Sequence, residues 1–146
     1  MFVFKLQSVL DYRKRIEEKI LGEFSGIKRE LQEEKLLLRN LIMERESLID
    51  ELRNMENKSM QADDIALYVS YVEQMRENEQ KQKQVVARVE EQLEIKKKEL
   101  LAAVTQVKVM ERLKERHTEE YETAARAFEQ KTSDEMSVLK YGRRVI

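Results

Sequence analysis

Apolar residues recur along this chain in alternating steps of three and four, and they do so in two separate runs. The first visits Val3, Leu6, Leu10, Arg13, Glu17, Ile20, Phe24, Ile27, Leu31, Glu34, Leu38, Leu41, Arg45, Leu48, Leu52 and Met55, all apolar except Arg13, Glu17, Glu34 and Arg45. The second visits Ile65, Tyr68, Val72, Met75, Glu79, Gln82, Val86, Val89, Leu93, Lys96, Leu100, Ala103, Val107, Met110, Lys114, His117, Tyr121, Ala124, Phe128, Lys131, Glu135 and Val138. A spacing that averages about 3.5 keeps one narrow stripe on one side of a helix, facing one partner. Tight turns and phosphate-cradling loops draw on Gly and Pro for their backbone geometry, and this chain has 3 Gly and no Pro. A fold with many corners is excluded, and long helices remain.

Between the runs lies the polar stretch Glu56 to Asp64, whose final aspartates, Asp63 and Asp64, suit the start of a second helix. The expected architecture is all-α: an antiparallel coiled-coil hairpin forming a single domain over residues 1–146. It comprises a helix from about 3 to 56, a turn at about 57–63 and a longer C-terminal helix from about 64 to 140. Folding back there makes residues whose numbers add to about 120 face each other across the seam. Leu48 then meets Val72, Leu31 meets Val89, Ile27 meets Leu93 and Leu10 meets Met110. Each polar seam residue meets an apolar one, including Arg45 with Met75, Leu41 with Glu79, Leu38 with Gln82, Phe24 with Lys96, Leu6 with Lys114 and Val3 with His117. The arms come out unequal. From Thr118 onward the second helix has no opposite arm, although its stripe continues through Tyr121, Ala124 and Phe128 over roughly 30 Å. An apolar stripe without a partner marks a binding surface.

With 28 basic against 29 acidic residues, the chain has no field to draw it to nucleic acid or an anionic membrane, and its expected partners are proteins. The absence of Cys removes disulfides and thiolate metal sites. No segment reaches the ~20 apolar residues of a membrane span, and the N-terminus lacks a signal-peptide core, so a soluble, unsecreted chain is expected. The one histidine, His117, has no His or Cys to join it as a metal ligand. Nucleotide-binding and acyl-transfer motifs are absent, and the expectation is a non-enzyme without a cofactor or metal. Gly22 and Gly26 match a helix-packing spacing, but the charged residues around them fit a flexible point near Phe24 better than a membrane dimerisation face. After the turn, Tyr68, Val72 and Met75 fall on the seam. Tyr71 does not, and an exposed Tyr four residues before a Met is a reasonable docking spot.

The opening Phe2 x Phe4 x Leu6 Gln7 x Val9 Leu10 x x Arg13 carries a resemblance, together with Glu111 x Leu113 Lys114 Glu115 Arg116, Tyr121, Glu129 Gln130 Lys131 and Asp134 Glu135 near the end. At these spacings the chain resembles the flagellar FliJ family of type III export proteins. The resemblance implies a two-helix stalk whose joined ends enter the pore of the hexameric export ATPase FliI and promote its assembly and activity. It also implies contact with the export gate protein FlhA and with substrate chaperones. Leu113, Arg116, Tyr121, Glu129, Gln130 and Lys131 are the implied ATPase-binding residues; Tyr71 and Met75 look like the family's aromatic and apolar gate-binding pair. The implied location is the cytoplasmic face of the membrane at the flagellar base, in the service of motility. A different class remains open: a homodimeric coiled-coil scaffold or chaperone-like protein, as does the equivalent stalk of a virulence type III secretion system. A parallel dimer would stack Arg13, Glu17 and Arg45 on their own copies, which favours the hairpin and a monomeric free chain.

Overall fold

A computed structural model describes residues 1–56 and 61–145. It contains two helices, α1 (Gln7–Glu56, 50 residues) and α2 (Ala62–Val145, 84 residues), and no strand among the described residues. Residues 57–60 of the expected turn lie outside the described residues. Gln61 precedes α2, and its carbonyl accepts from the backbone N–H groups of Asp64 and Ile65 at 3.1 and 3.2 Å. Asp63 and Asp64 therefore occupy the first turn, where their charge meets the positive end of the helix, while Gln61 holds the capping position.

Packing divides the chain into two compact units, Lys19–Leu100 and Met1–Glu18 with Leu101–Ile146. Inside the first of these, the α1 and α2 stretches run antiparallel. Glu23 bonds Lys96, Glu34 bonds Gln82 and Arg45 bonds Glu79, so partners descend α2 as they ascend α1. Leu31, Val86 and Val89 form the centre, with Ile27, Leu38, Val85 and Leu93 packed around them. Val89 is 2% exposed. A seam this narrow buries one stripe per helix and leaves the other sides to solvent, which is why charged residues suit almost every other position.

The second unit repeats the scheme at the chain's other end. Phe4, Leu10 and Val107 form its centre, and Phe2, Met110 and Leu113 pack against them. Leu10, 1% exposed, is the most deeply buried large side chain. Arg13 Nη1 donates to Gln106 Oε1, and Lys14 lies 3.9 Å from Glu111. Here too partner numbers add to about 120, the register the seams predict.

Two expectations about that register fail. Val3 does not meet His117, nor does Leu6 meet Lys114 in a closed layer: Val3 is 73% exposed and Leu6 39%. The reason is local. The chain before Gln7 is not helical, and Gln7 N–H donates to Phe4 O at 3.1 Å to close a turn ahead of the helix. Off the helix, alternate residues point to one side, so Phe2 and Phe4 turn inward in place of Val3. Phe4 takes the position against His117, edge-on with ring centres 5.6 Å apart.

The other failure concerns polar seam residues, which were expected to face apolar ones. They reach diagonally past those neighbours, Arg45 and Gln82 to the seam residues Glu79 and Glu34, and Lys96 to Glu23, which lies off the seam. Arg45 Nε donates to Glu79 Oε2 at 2.8 Å, Gln82 Nε2 donates to Glu34 O at 3.0 Å and to Glu34 Oε2, and Lys96 Nζ donates to Glu23 at 2.8 Å. Long side chains allow this where opposite-layer geometry alone does not, and the low cost of satisfying a buried polar group drives it.

Candidate interaction surfaces

The seam of α2 is buried or half-buried at every expected position from Ile65 to His117. There it stops. Tyr121 is 43% exposed with Phe2 against its ring at 5.4 Å, and Phe2 is the last aromatic of the N-terminal segment to reach α2. Beyond it Phe128 is 71% exposed, and Met136, Val138, Leu139 and Tyr141 are exposed as well. A straight helix repeats about every 3.6 residues, slightly more than the heptad's 3.5. At that period one face carries Tyr121, Ala125, Phe128, Thr132, Met136 and Leu139, whereas the strict heptad expected Tyr121, Ala124, Phe128, Lys131, Glu135 and Val138. Met136 and Leu139 escaped the sequence reading because a strict heptad passes them by; the eleven-residue step from Phe128 to Leu139 is the signal that finds them.

The six residues that the family resemblance suggests for ATPase binding do not form one patch. Leu113 packs into the Phe4, Leu10 and Val107 cluster, while Arg116 is exposed. Leu113 and Arg116 line one shallow groove with Val109 and Arg112. Glu129, Gln130 and Lys131 are consecutive on a helix and point about 100° apart in turn. Glu129 lines a groove with Phe128, Thr132 and Met136; Gln130 and Lys131 line a different one with Ala127, Val138 and Leu139. Gln130 also donates to Asp134 Oδ1 at 3.0 Å, one turn on.

In the Lys19–Leu100 unit, Tyr71 is 60% exposed and Met75 half-buried on the seam. Steps of four residues place Leu67, Tyr71 and Met75 in a row, and Leu67 is 66% exposed. Leu67 and Tyr71 line a cleft with Leu48, Met55 and Tyr68. Met75 does not line it. Leu67 was missed because it lies off the seam and carries no polar handle to distinguish it from an ordinary surface leucine.

The resolved electrostatic coupling is elsewhere, at Lys96, whose ammonium contacts Glu23 at 2.8 Å and Glu99 at 2.9 Å. The hydrogen bond and charge of Lys96 hold the Glu23 carboxyl below its ordinary range; the bonds from Glu23 and Glu99 raise Lys96 above its own. Among the described residues no cluster of three or more His, Asp or Glu is placed to hold a metal ion, and no helix is long and apolar enough to cross a membrane.

Two packed helices, with exposed apolar and aromatic strips in place of a chemical pocket, define an all-helical protein whose candidate sites are surfaces. Residues 1–145 match the family described as Flagellar FliJ protein, and the chain belongs to that family. It is thereby a component of the flagellar protein export apparatus, in a family of non-enzymatic export components. No curated protein and no solved structure matches the chain.

Proposed function

We propose that this protein is the stalk of the export apparatus: it binds the pore of the hexameric ATPase FliI, promotes ring assembly and hydrolysis, and links the ring to the gate protein FlhA. The observation that carries the reading is the exposed stripe from Tyr121 to Leu139, which continues the buried seam past the point where the N-terminal segment ends. The greater length of α2 supplies it. Helical amphipathic strips of this kind dock in apolar grooves through anchors at spacings of three and four, and Phe128 and Leu139 are the anchors here. The second surface is Leu67, Tyr71 and Met75 on the same helix, which suits the gate. Contact of one asymmetric helix with successive ring subunits biases closure of one subunit over the next. Chaperone handling and residence at the cytoplasmic face of the membrane follow from the same assignment.

Removal of residues 124–146 tests it. The truncated chain keeps both buried clusters and the Phe2 to Tyr121 contact, so its helical signal per residue should be retained while stimulation of phosphate release by the ring is lost. Full stimulation by the truncated chain would overturn the proposal.

A further inference from the structure

Two consecutive seam residues of α2, Glu79 and Gln82, are polar and yet only 7% and 8% exposed. Across the seam each is served from α1 by one residue: Glu79 by Arg45, and Gln82 by the backbone carbonyl and carboxylate of Glu34. Lys83 adds a more distant contact to Glu79 at 3.5 Å from its own helix. No buried side-chain polar atom among the described residues is left without a partner. We infer that these two cross-links are register locks, which select one sliding position of α2 on α1 in the Lys19–Leu100 unit.

The apolar layers cannot make that choice. Leu, Ile and Val repeat along both seams, so a slide by half a heptad or a whole one again sets apolar residue on apolar residue. Such a slide is easy for two helices joined end to end. Moving the point of reversal by about one helical turn changes the register by a heptad, as one helix gains what the other gives up. The polar pairs do discriminate. The seam neighbours of Arg45 are Leu41 and Leu48, and those of Glu34 are Leu31 and Leu38. The two links lean opposite ways from the facing pairs Leu41 with Glu79 and Leu38 with Gln82, so a one-step slide that sets Glu79 opposite Arg45 carries Gln82 from Glu34 onto Leu41, and the reverse slide that sets Gln82 opposite Glu34 carries Glu79 from Arg45 onto Leu38. Either slide leaves one desolvated polar group, the amide or the carboxylate, without its partner, which costs more than any gain from shifted apolar contacts. A buried polar residue that fixes helix register is a known use of such groups in paired helices.

The chain has no cysteine, so reporters can be placed cleanly. Spin labels on the full chain at Lys28→Cys and Arg76→Cys, both exposed positions of the same unit, read the slide as a distance. The parent should give one distance population. With Glu79→Leu and Gln82→Leu together, the helical signal should persist while a second population, displaced by roughly 5 or 10 Å for a half or whole heptad, rises to at least about a tenth of the total. Lys35→Ala with Glu90→Ala removes an exposed cross-helix pair instead and should leave one population. A single unchanged distance in the leucine variant would overturn the inference, as would loss of its helical signal, or a split caused equally by the Lys35 and Glu90 control.

Discussion

At the scale of single residues, burial decides what a substitution costs. Leu10 is closed off on all sides by Phe4, Val107 and their neighbours, so Leu10→Ala should destabilise the protein by about 2 to 5 kcal/mol, read from denaturant midpoints. The glycines respond in the opposite direction. A methyl group added at Gly22 or Gly26 would meet nothing within 4 Å, so neither glycine is needed for the approach of α2. Each Gly→Ala change should therefore raise stability by about 0.5 to 1 kcal/mol by helix propensity alone. The contact of Lys96 with Glu23 gives a pH signature. Glu23 is held low, so its contribution to stability is present above the ordinary carboxylate range and fades as pH falls through the depressed value. Lys96 is held high, so its contribution is present below the ordinary lysine range and fades as pH rises through the raised value. Neutral pH lies between the two limits. In Lys96→Gln, NMR titration should find the Glu23 carboxyl moved back up toward its ordinary range.

At the scale of the helices, the seams were legible in the sequence from Leu10 to Met55 and from Ile65 to His117, because the residues that alternate by threes and fours are the ones that pack. Three things were not. Diagonal bonding between Arg45 and Glu79, or Glu34 and Gln82, depends on side-chain reach, which a list of facing layers omits. The inward turn of Phe2 and Phe4 depends on where the helix starts, and the heptad pattern from Val3 to Leu6 falls in the non-helical segment before Gln7. The face through Met136 and Leu139 follows the period of a straight helix, about 3.6 residues, which a strict heptad does not. For the candidate sites, spacing distinguished exposed Tyr71 from half-buried Tyr68, but consecutive Glu129, Gln130 and Lys131 could not share a face. These helices should also differ in persistence. Among the described side chains after Tyr121 all are exposed except Ala125 and Gly142, so little of the tertiary packing that supplies most helix stability acts on this stretch. Amide hydrogens at 124–145 should exchange orders of magnitude faster than those at 103–117. Equal protection along both stretches would contradict this view.

At the scale of the whole molecule, the proposed stalk function gives two surfaces on α2 two partners: the stripe from Tyr121 to Leu139 would meet the ATPase ring, and Leu67, Tyr71 and Met75 the gate. The most direct test replaces one residue at a time with a photoactivated phenylalanine analogue, at Phe128 and at Tyr71, in the full chain mixed with the purified ring ATPase. Irradiation should yield a covalent adduct with the ATPase from position 128 and none from position 71. An adduct from 71 with none from 128 would contradict the assignment of the α2 stripe to the ring.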